Sequence, residues 1–311
     1  MRTLTNEFSW SFTRHEIFQT CLKRYYFAYY ASWGGWLDTA APDVRLLYRL
    51  KRLSTRQQWA GHHIHLALEH LIRHSRHEAT PETIDRIIEY TLDLMRREFR
   101  DSRSGACQVD PAHRAALFEH EYHVDIAPSE WKDLVDRVAA EIKTFGASPL
   151  WERLRTMPDD AILSVERRST LMLDGLTLHV VPDLALREAD GSLTLYDWKT
   201  GTSPLSEHRL QLGTYALLAM DRWVTDPVQI RAIAHHPLTQ EAAVFTFTES
   251  DIEDLRGFIR DSADEMLFPL EDPEKNIAGD GSTFDCTEQD EPCATCSFLR
   301  VCPRWTSASP S

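Results

Sequence analysis

The apolar residues of this chain change their spacing near residue 160, and that change constrains the fold more than any other feature of its 311 residues. Before it, the spacing is helical. Phe12, Ile17, Phe18, Leu22, Tyr25, Tyr26 and Tyr29 suit a helix from Ser11 to about Tyr30, and similar patterns predict helices at about 55–73, 81–100 and 129–146. Beyond it, segments 161–169, 176–187 and 192–198 alternate apolar with polar residues or run β-branched, with Asp174-Gly175 and Asp190-Gly191 between them as turns. These segments predict a three-stranded meander, followed by a helix at about 206–222, strands near 228–235 and 242–248, and a helix at about 250–267. The expected organisation is a helical region over 1–160, an α/β core over 161–270 and a cysteine-rich tail over 271–311.

An apolar share of 42% and a charged share of 26% are those of a soluble globular protein, so disorder is expected only at the ends. The opening MRTLTNEFSWSFTR lacks the basic-then-apolar build of a signal peptide. No stretch approaches the roughly 18 apolar residues that span a bilayer, and a cytoplasmic protein without a membrane partner is expected. The net charge of −14 argues against a basic coat, yet residues 1–60 carry Arg45, Arg49, Lys51, Arg52 and Arg56 among other cations, while 251–311 is acidic. A local basic face at the N-terminal end would suit phosphates, although solvated helix faces have the same look. Tyr25, Tyr26, Tyr29, Tyr30, Trp33 and Trp36 are either core or a platform on which bases stack.

Chemistry concentrates on the meander. Pro182-Asp183 is expected inside the second strand and Asp197-Trp198-Lys199 at the end of the third, so a hairpin brings the two aspartates together. Paired carboxylates repel unless a cation neutralises them, and Mg²⁺ or Mn²⁺ favours such oxygen ligands. Lys199 lies two residues beyond Asp197 and so on the same face of the strand. There it can orient or help deprotonate an attacking water.

Asp183, Asp197-Trp198-Lys199-Thr200-Gly201, Gln211-Leu212-Gly213-Thr214-Tyr215 and Gly61-His62-His63-Ile64-His65-Leu66-Ala67-Leu68-Glu69 together resemble, in order and spacing, the motifs of RecB-type PD-(D/E)xK nucleases. The resemblance implies a restriction-nuclease-like α/β/α core with a helical N-terminal subdomain. It picks His65 from among His62, His63, His65 and His70 as a metal ligand, beside Asp183, Asp197 and the Trp198 carbonyl. Lys199 is then the water-activating group, and Gln211 and Tyr215 position the strand or the catalytic residues. The chain departs from the family where Val180 stands in place of a common glycine three residues before Asp183. Glu166 is read as a polar residue on an alternating strand, with an extra carboxylate near the site as the alternative.

Of six cysteines, Cys293, Cys296 and Cys302 have ligand spacing, and a reducing compartment disfavours disulfides. Spacing alone leaves two holders open: a local zinc site of Cys286, Cys293, Cys296 and Cys302, or a cluster completed by a distant cysteine. The run Cys21-Leu22-Lys23-Arg24-Tyr25-Tyr26-Phe27 resembles the N-terminal cysteine motif of AddB-type and CRISPR-adaptation iron-sulfur nucleases. That resemblance implies a [4Fe-4S] staple on Cys21, Cys293, Cys296 and Cys302, structural in role, with Cys107 a core or loop thiol. The expected function is a Mg²⁺- or Mn²⁺-dependent deoxyribonuclease. It would act as an exonuclease or on single strands and duplex ends, in repair, recombination or defence, with a helicase or defence protein as partner. The alternatives are a catalytically silent nucleic-acid-binding subunit and a zinc-stabilised interaction module.

Overall fold

A computed structural model describes residues 5–78, 80–223 and 226–306. In chain order the helices before the strands are α1 (Phe12–Thr20), α2 (Leu22–Tyr26), α3 (Pro42–Lys51), α4 (Arg56–His70), α5 (Pro81–Ser104), α6 (Phe118–Glu121), α7 (Pro128–Gly146) and α8 (Pro149–Thr156). Then come β1 (Ile162–Val165), β2 (Ser169–Leu173), β3 (Leu176–Val180), β4 (Leu184–Arg187), β5 (Leu193–Trp198), α9 (Arg209–Trp223), β6 (Ile230–His235), β7 (Ala242–Thr246), α10 (Glu249–Leu267) and α11 (Pro303–Thr306). Among the described residues, no helix is long and apolar enough to cross a membrane.

The described chain divides into two compact units. The first draws on residues 57–97 and 126–257 and contains a five-stranded sheet in the order β1-β4-β5-β6-β7. Only β5 and β6 pair in parallel, joined through α9; the other pairs are antiparallel. Every residue of β5 is buried, as expected for the middle strand of a sheet covered on both faces. Trp198 stacks on Tyr196 at its end and meets Phe145 of α7 edge-on.

The meander differs from expectation in two places. The segment 161–169 is not one strand: β1 joins the main sheet, whereas β2 and β3 form a separate hairpin. Asp174 (φ 50°) and Gly175 (φ 86°) both have the positive φ that a tight hairpin turn requires. The expected strand 176–187 is likewise broken at Val181-Pro182-Asp183. Proline has no N–H to give a ladder, so the strand stops there and restarts as β4.

The second unit draws on residues 5–56, 98–125 and 258–306. Its expected first helix is interrupted at Cys21, which is extended (φ −166°) and caps α2 by accepting the Arg24 N–H on its sulfur. Arg14 is buried and reaches the hydroxyls of Tyr25 and Tyr30 at 3.0 and 3.1 Å, with its guanidinium over Phe8 and Tyr29. Tyr25 and Tyr30 therefore belong to the core, packed with Phe284, and are not surfaces for stacking bases. The N-terminal cations are also largely engaged. Arg49 is buried and bonds Glu121 at 2.6 Å, Lys51 lies over the Tyr29 ring, and Arg52 donates to the Ala112 carbonyl at 3.1 Å.

Candidate active site

The site forms where β4 and β5 meet α4 and α9. Leu184 pairs with Tyr196 in the antiparallel register, so one step further the register sets Asp183 opposite Asp197. Asp183 sits in the break that Pro182 makes, and its Oδ2 accepts the Trp198 N–H at 2.5 Å. Both aspartates are buried, at 5% and 3% exposure, so their repulsion is not relieved by water.

His65 comes to them from α4. The helix can approach because residue 61 is glycine: a Cβ there would lie 2.7 Å from the Thr200 hydroxyl, just after β5. One turn later His65 Nδ1 lies 2.8 Å from Glu166 Oε1 and 3.5 Å from Asp183 Oδ1. Ligand atoms of His65, Glu166 and Asp183 all fall within 4.8 Å of one another, a spacing that fits a single cation. Of the four histidines of α4, His65 is the one in this group. His63 is buried against Trp59. Burial alone would lower the His65 ring, but Asp183 and Glu166 outweigh it and hold it well above the usual imidazole range. Burial raises the Asp183 carboxyl, and Asp197 and Glu166 push the same way against His65.

Glu166 is the residue that the strand pattern undervalued. It follows β1 with φ at 46°, a conformation costly for a residue with a side chain, of order 1 kcal/mol. Its N–H donates to the Asp183 carbonyl at 3.0 Å, which fixes the kink and turns its carboxylate to His65. The sequence signal was the Glu166-Arg167-Arg168 interruption of an otherwise β-like run. Glu69, the last residue of the α4 motif, stays outside this group. It pairs with Arg73 at 2.8 Å, and Arg73 in turn bonds the Val165 carbonyl directly before Glu166.

Asp197 is held from α9. Gln211 and Tyr215 are four residues apart and share a helix face. Tyr215 donates its hydroxyl to Asp197 Oδ1 at 2.9 Å, and Gln211 donates its amide to the same oxygen at 3.0 Å. The Gln211 carbonyl accepts from Lys199 Nζ at 2.7 Å. Lys199 Nζ also lies 2.5 Å from Asp197 Oδ2, an ion pair at the edge of the carboxylate group. Burial keeps the Tyr215 phenol well above its ordinary range and the two aspartates add to the effect, so it is a donor at any working pH. Three carboxylates thus face one histidine and one lysine. Such a site is short of positive charge and attracts a hard divalent cation.

A family model of the PD-(D/E)XK nuclease superfamily matches residues 9–303. The chain belongs to that superfamily. Membership implies a nuclease, a hydrolase of phosphodiester bonds that binds nucleic acid and uses divalent metal. A solved structure described as "Crystal structure of SSO0001" matches with 17% identity and a TM-score of 0.31, over 57% of this chain and 78% of that one. No curated protein matches the chain.

In the other unit, Cys21, Cys286, Cys293, Cys296 and Cys302 line one cavity. The Thr287 N–H reaches the Cys21 sulfur at 3.5 Å, and Lys23 N–H donates to the Asp285 carbonyl at 2.9 Å, which ties α2 to the tail. Cys286 and Cys302 sulfurs are 3.7 Å apart, and burial together with Cys302 pushes the Cys286 thiol up to about 11. Cys107 is buried apart from them on a short turn.

Proposed function

We propose that this nuclease is a deoxyribonuclease dependent on Mg²⁺ or Mn²⁺ and that it carries a structural [4Fe-4S] cluster. The observation that carries the first part is the convergence of His65, Glu166 and Asp183 on one point, next to Asp197 and Lys199. These donors fit a hard cation, with Asp197 and the Trp198 carbonyl completing the set. A divalent ion held there would neutralise the carboxylates and polarise the scissile phosphate.

The residues then divide the work. Asp183 and His65 hold the ion's side of the site, and the Trp198 N–H keeps Asp183 turned inward. Lys199, anchored by Gln211, orients the attacking water and takes up charge that develops on the phosphate. Tyr215 and Gln211 fix Asp197 so that the lysine and the carboxylates keep their spacing.

Two features favour the cluster over a single zinc. Zinc bonds of about 2.3 Å would draw four sulfurs to within roughly 3.8 Å of one another. Among the described residues, no three cysteine sulfurs lie within 4.8 Å of one another. Cys21, on the far side of the sequence, lines the same cavity as Cys293, Cys296 and Cys302. Four cysteine thiolates around one cavity are the usual holders of such a cluster.

The reading extends to exonuclease or end-processing action on single strands and duplex ends, within repair, recombination or defence and beside a helicase or defence partner. The test is a pair of end-labelled DNA substrates, single- and double-stranded, with Mn²⁺, with Mg²⁺ and with chelator. Metal-dependent shortening that Asp183→Ala abolishes is expected. Cleavage unchanged by chelator or by Asp183→Ala would defeat the assignment.

A further inference from the structure

Five cysteines surround a cavity for which the proposed cluster needs four. Cys286 is the surplus one, outside the spacing that sets off Cys293, Cys296 and Cys302. Yet it lies nearer to a neighbouring sulfur than an idle thiol need be, 3.7 Å from Cys302. A disulfide has a sulfur separation of about 2.05 Å, so closing the pair asks for a movement of under about 2 Å shared between two side chains. The intervening chain consists of short turns, Glu291–Cys293 and Leu299–Val301, and not of a long rigid element. All six cysteines are free thiols here.

Access is uneven around the cavity. Cys286 and Cys21 also line an open groove of about 860 Å³, whereas Cys293 and Cys302 are buried. The Cys21 sulfur already accepts the Arg24 and Thr287 N–H groups, and the Cys293 sulfur has the Gln289 carbonyl and Arg304 as partners. Cys286 is thus the sulfur that combines an approach from solvent with a thiol neighbour in contact, 3.7 Å away.

We propose that Cys286 and Cys302 form a modification site, a reversible disulfide that closes when the cavity has lost its metal and hydrogen peroxide reaches it. The step balances as two thiols and one peroxide giving one disulfide and two waters. The sulfur–sulfur bond forms, the oxygen–oxygen bond breaks, and the two thiol protons leave in the water. With Cys302 tied up, the cavity cannot take up metal again until a dithiol reduces the bond. The disulfide rests on sulfur geometry alone, while the block on reloading rests on Cys302 being a ligand of the proposed group, and the two are read separately.

The full-length protein, as purified and after chelation, is treated with stoichiometric hydrogen peroxide, blocked with iodoacetamide, digested and mapped by mass spectrometry. The expected product links the peptides that contain Cys286 and Cys302, only after metal loss, and disappears with dithiothreitol. Metal content after incubation with ferrous iron and sulfide should stay below a tenth of the reduced control until dithiothreitol is added. Cys286→Ser and Cys286→Ala should form no such link and should reload after peroxide. Alkylated Cys286, or a link joining Cys21, Cys293 or Cys296 instead, would overturn the site. Linked protein that reloads fully would overturn the block. If neither Cys286 variant holds metal as purified, Cys286 is itself a ligand and the proposal fails.

Discussion

Glu141 faces the core from α7 with no exposed surface, and neither of its carboxylate oxygens has a hydrogen-bond partner. Its nearest cation, Arg137, lies 3.6 Å away. Burial therefore raises its carboxyl from 4.5 to about 7, against weaker opposition from Arg137 and His65. A raised folded-state value means that the folded protein holds a proton that the unfolded chain has released. That contribution to stability is fully present below about pH 4.5 and is lost as pH climbs through about 7. At about 1.4 kcal/mol per unit the cost is about 1 kcal/mol at pH 5 and about 3 kcal/mol at pH 8. Glu141→Gln keeps the shape and resembles the protonated acid, so it should be close to neutral at pH 4.5 and stabilising by about 3 kcal/mol at pH 8. For a unit of this size that is a rise of roughly 6–12 °C in melting temperature. Thermal unfolding in chelator at both pH values reads it directly. Equal shifts at the two pH values, or a loss of stability at pH 8, would refute the reasoning.

Gly61→Val should push α4 off the Thr200 side chain and reduce metal-dependent cleavage roughly tenfold or more with little loss of DNA binding, whereas Gly61→Ala with Thr200→Ala should recover most of the rate. Arg49→Ala should destabilise the protein by about 1–3 kcal/mol in urea unfolding, because Glu121 would lose one of its two cationic partners and keep Arg300 at 2.8 Å. DNA affinity of the folded fraction should change much less. Cys21→Ser should lose iron and solubility together, while Cys107→Ser keeps both, as read by iron content and absorbance near 400 nm; a colourless wild-type protein with one zinc would reverse that expectation.

How much of this was legible follows from the kind of interaction involved. Asp197 and Lys199 were readable because the strand's period of two fixes their common face, and Gln211 with Tyr215 because a helix returns every four residues. The helices at 81–100 and 129–146 were readable for the same reason, since periodic burial leaves a mark on composition. Glu166 was not, because its role depends on a positive φ and a bond to the Asp183 carbonyl, neither of which shows in an alternating pattern. The break at Pro182 was visible in principle as a missing donor, but the apolar run around it hid the kink. Within the aromatic run after Cys21, a buried Arg14 makes Tyr25 and Tyr30 core by drawing their hydroxyls inward, while Trp33 and Trp36 stay exposed. Cys286 was legible in the sequence as the fourth ligand of a local zinc site, whereas its distance from Cys302 leaves no mark on the spacing.

The most direct measurement is the single-turnover rate of DNA cleavage by Lys199→Ala with Mn²⁺, taken beside Mn²⁺ affinity and DNA binding for the same protein. Lys199 touches Asp197 and Gln211 and is not among the three residues grouped around the cation position. Metal and DNA should therefore bind within a few-fold of wild type while the rate falls by about 10³ or more, roughly 4 kcal/mol of transition-state stabilisation. A Lys199→Ala protein that cleaves at the wild-type rate would contradict the assignment of this site as the place where the phosphodiester is hydrolysed.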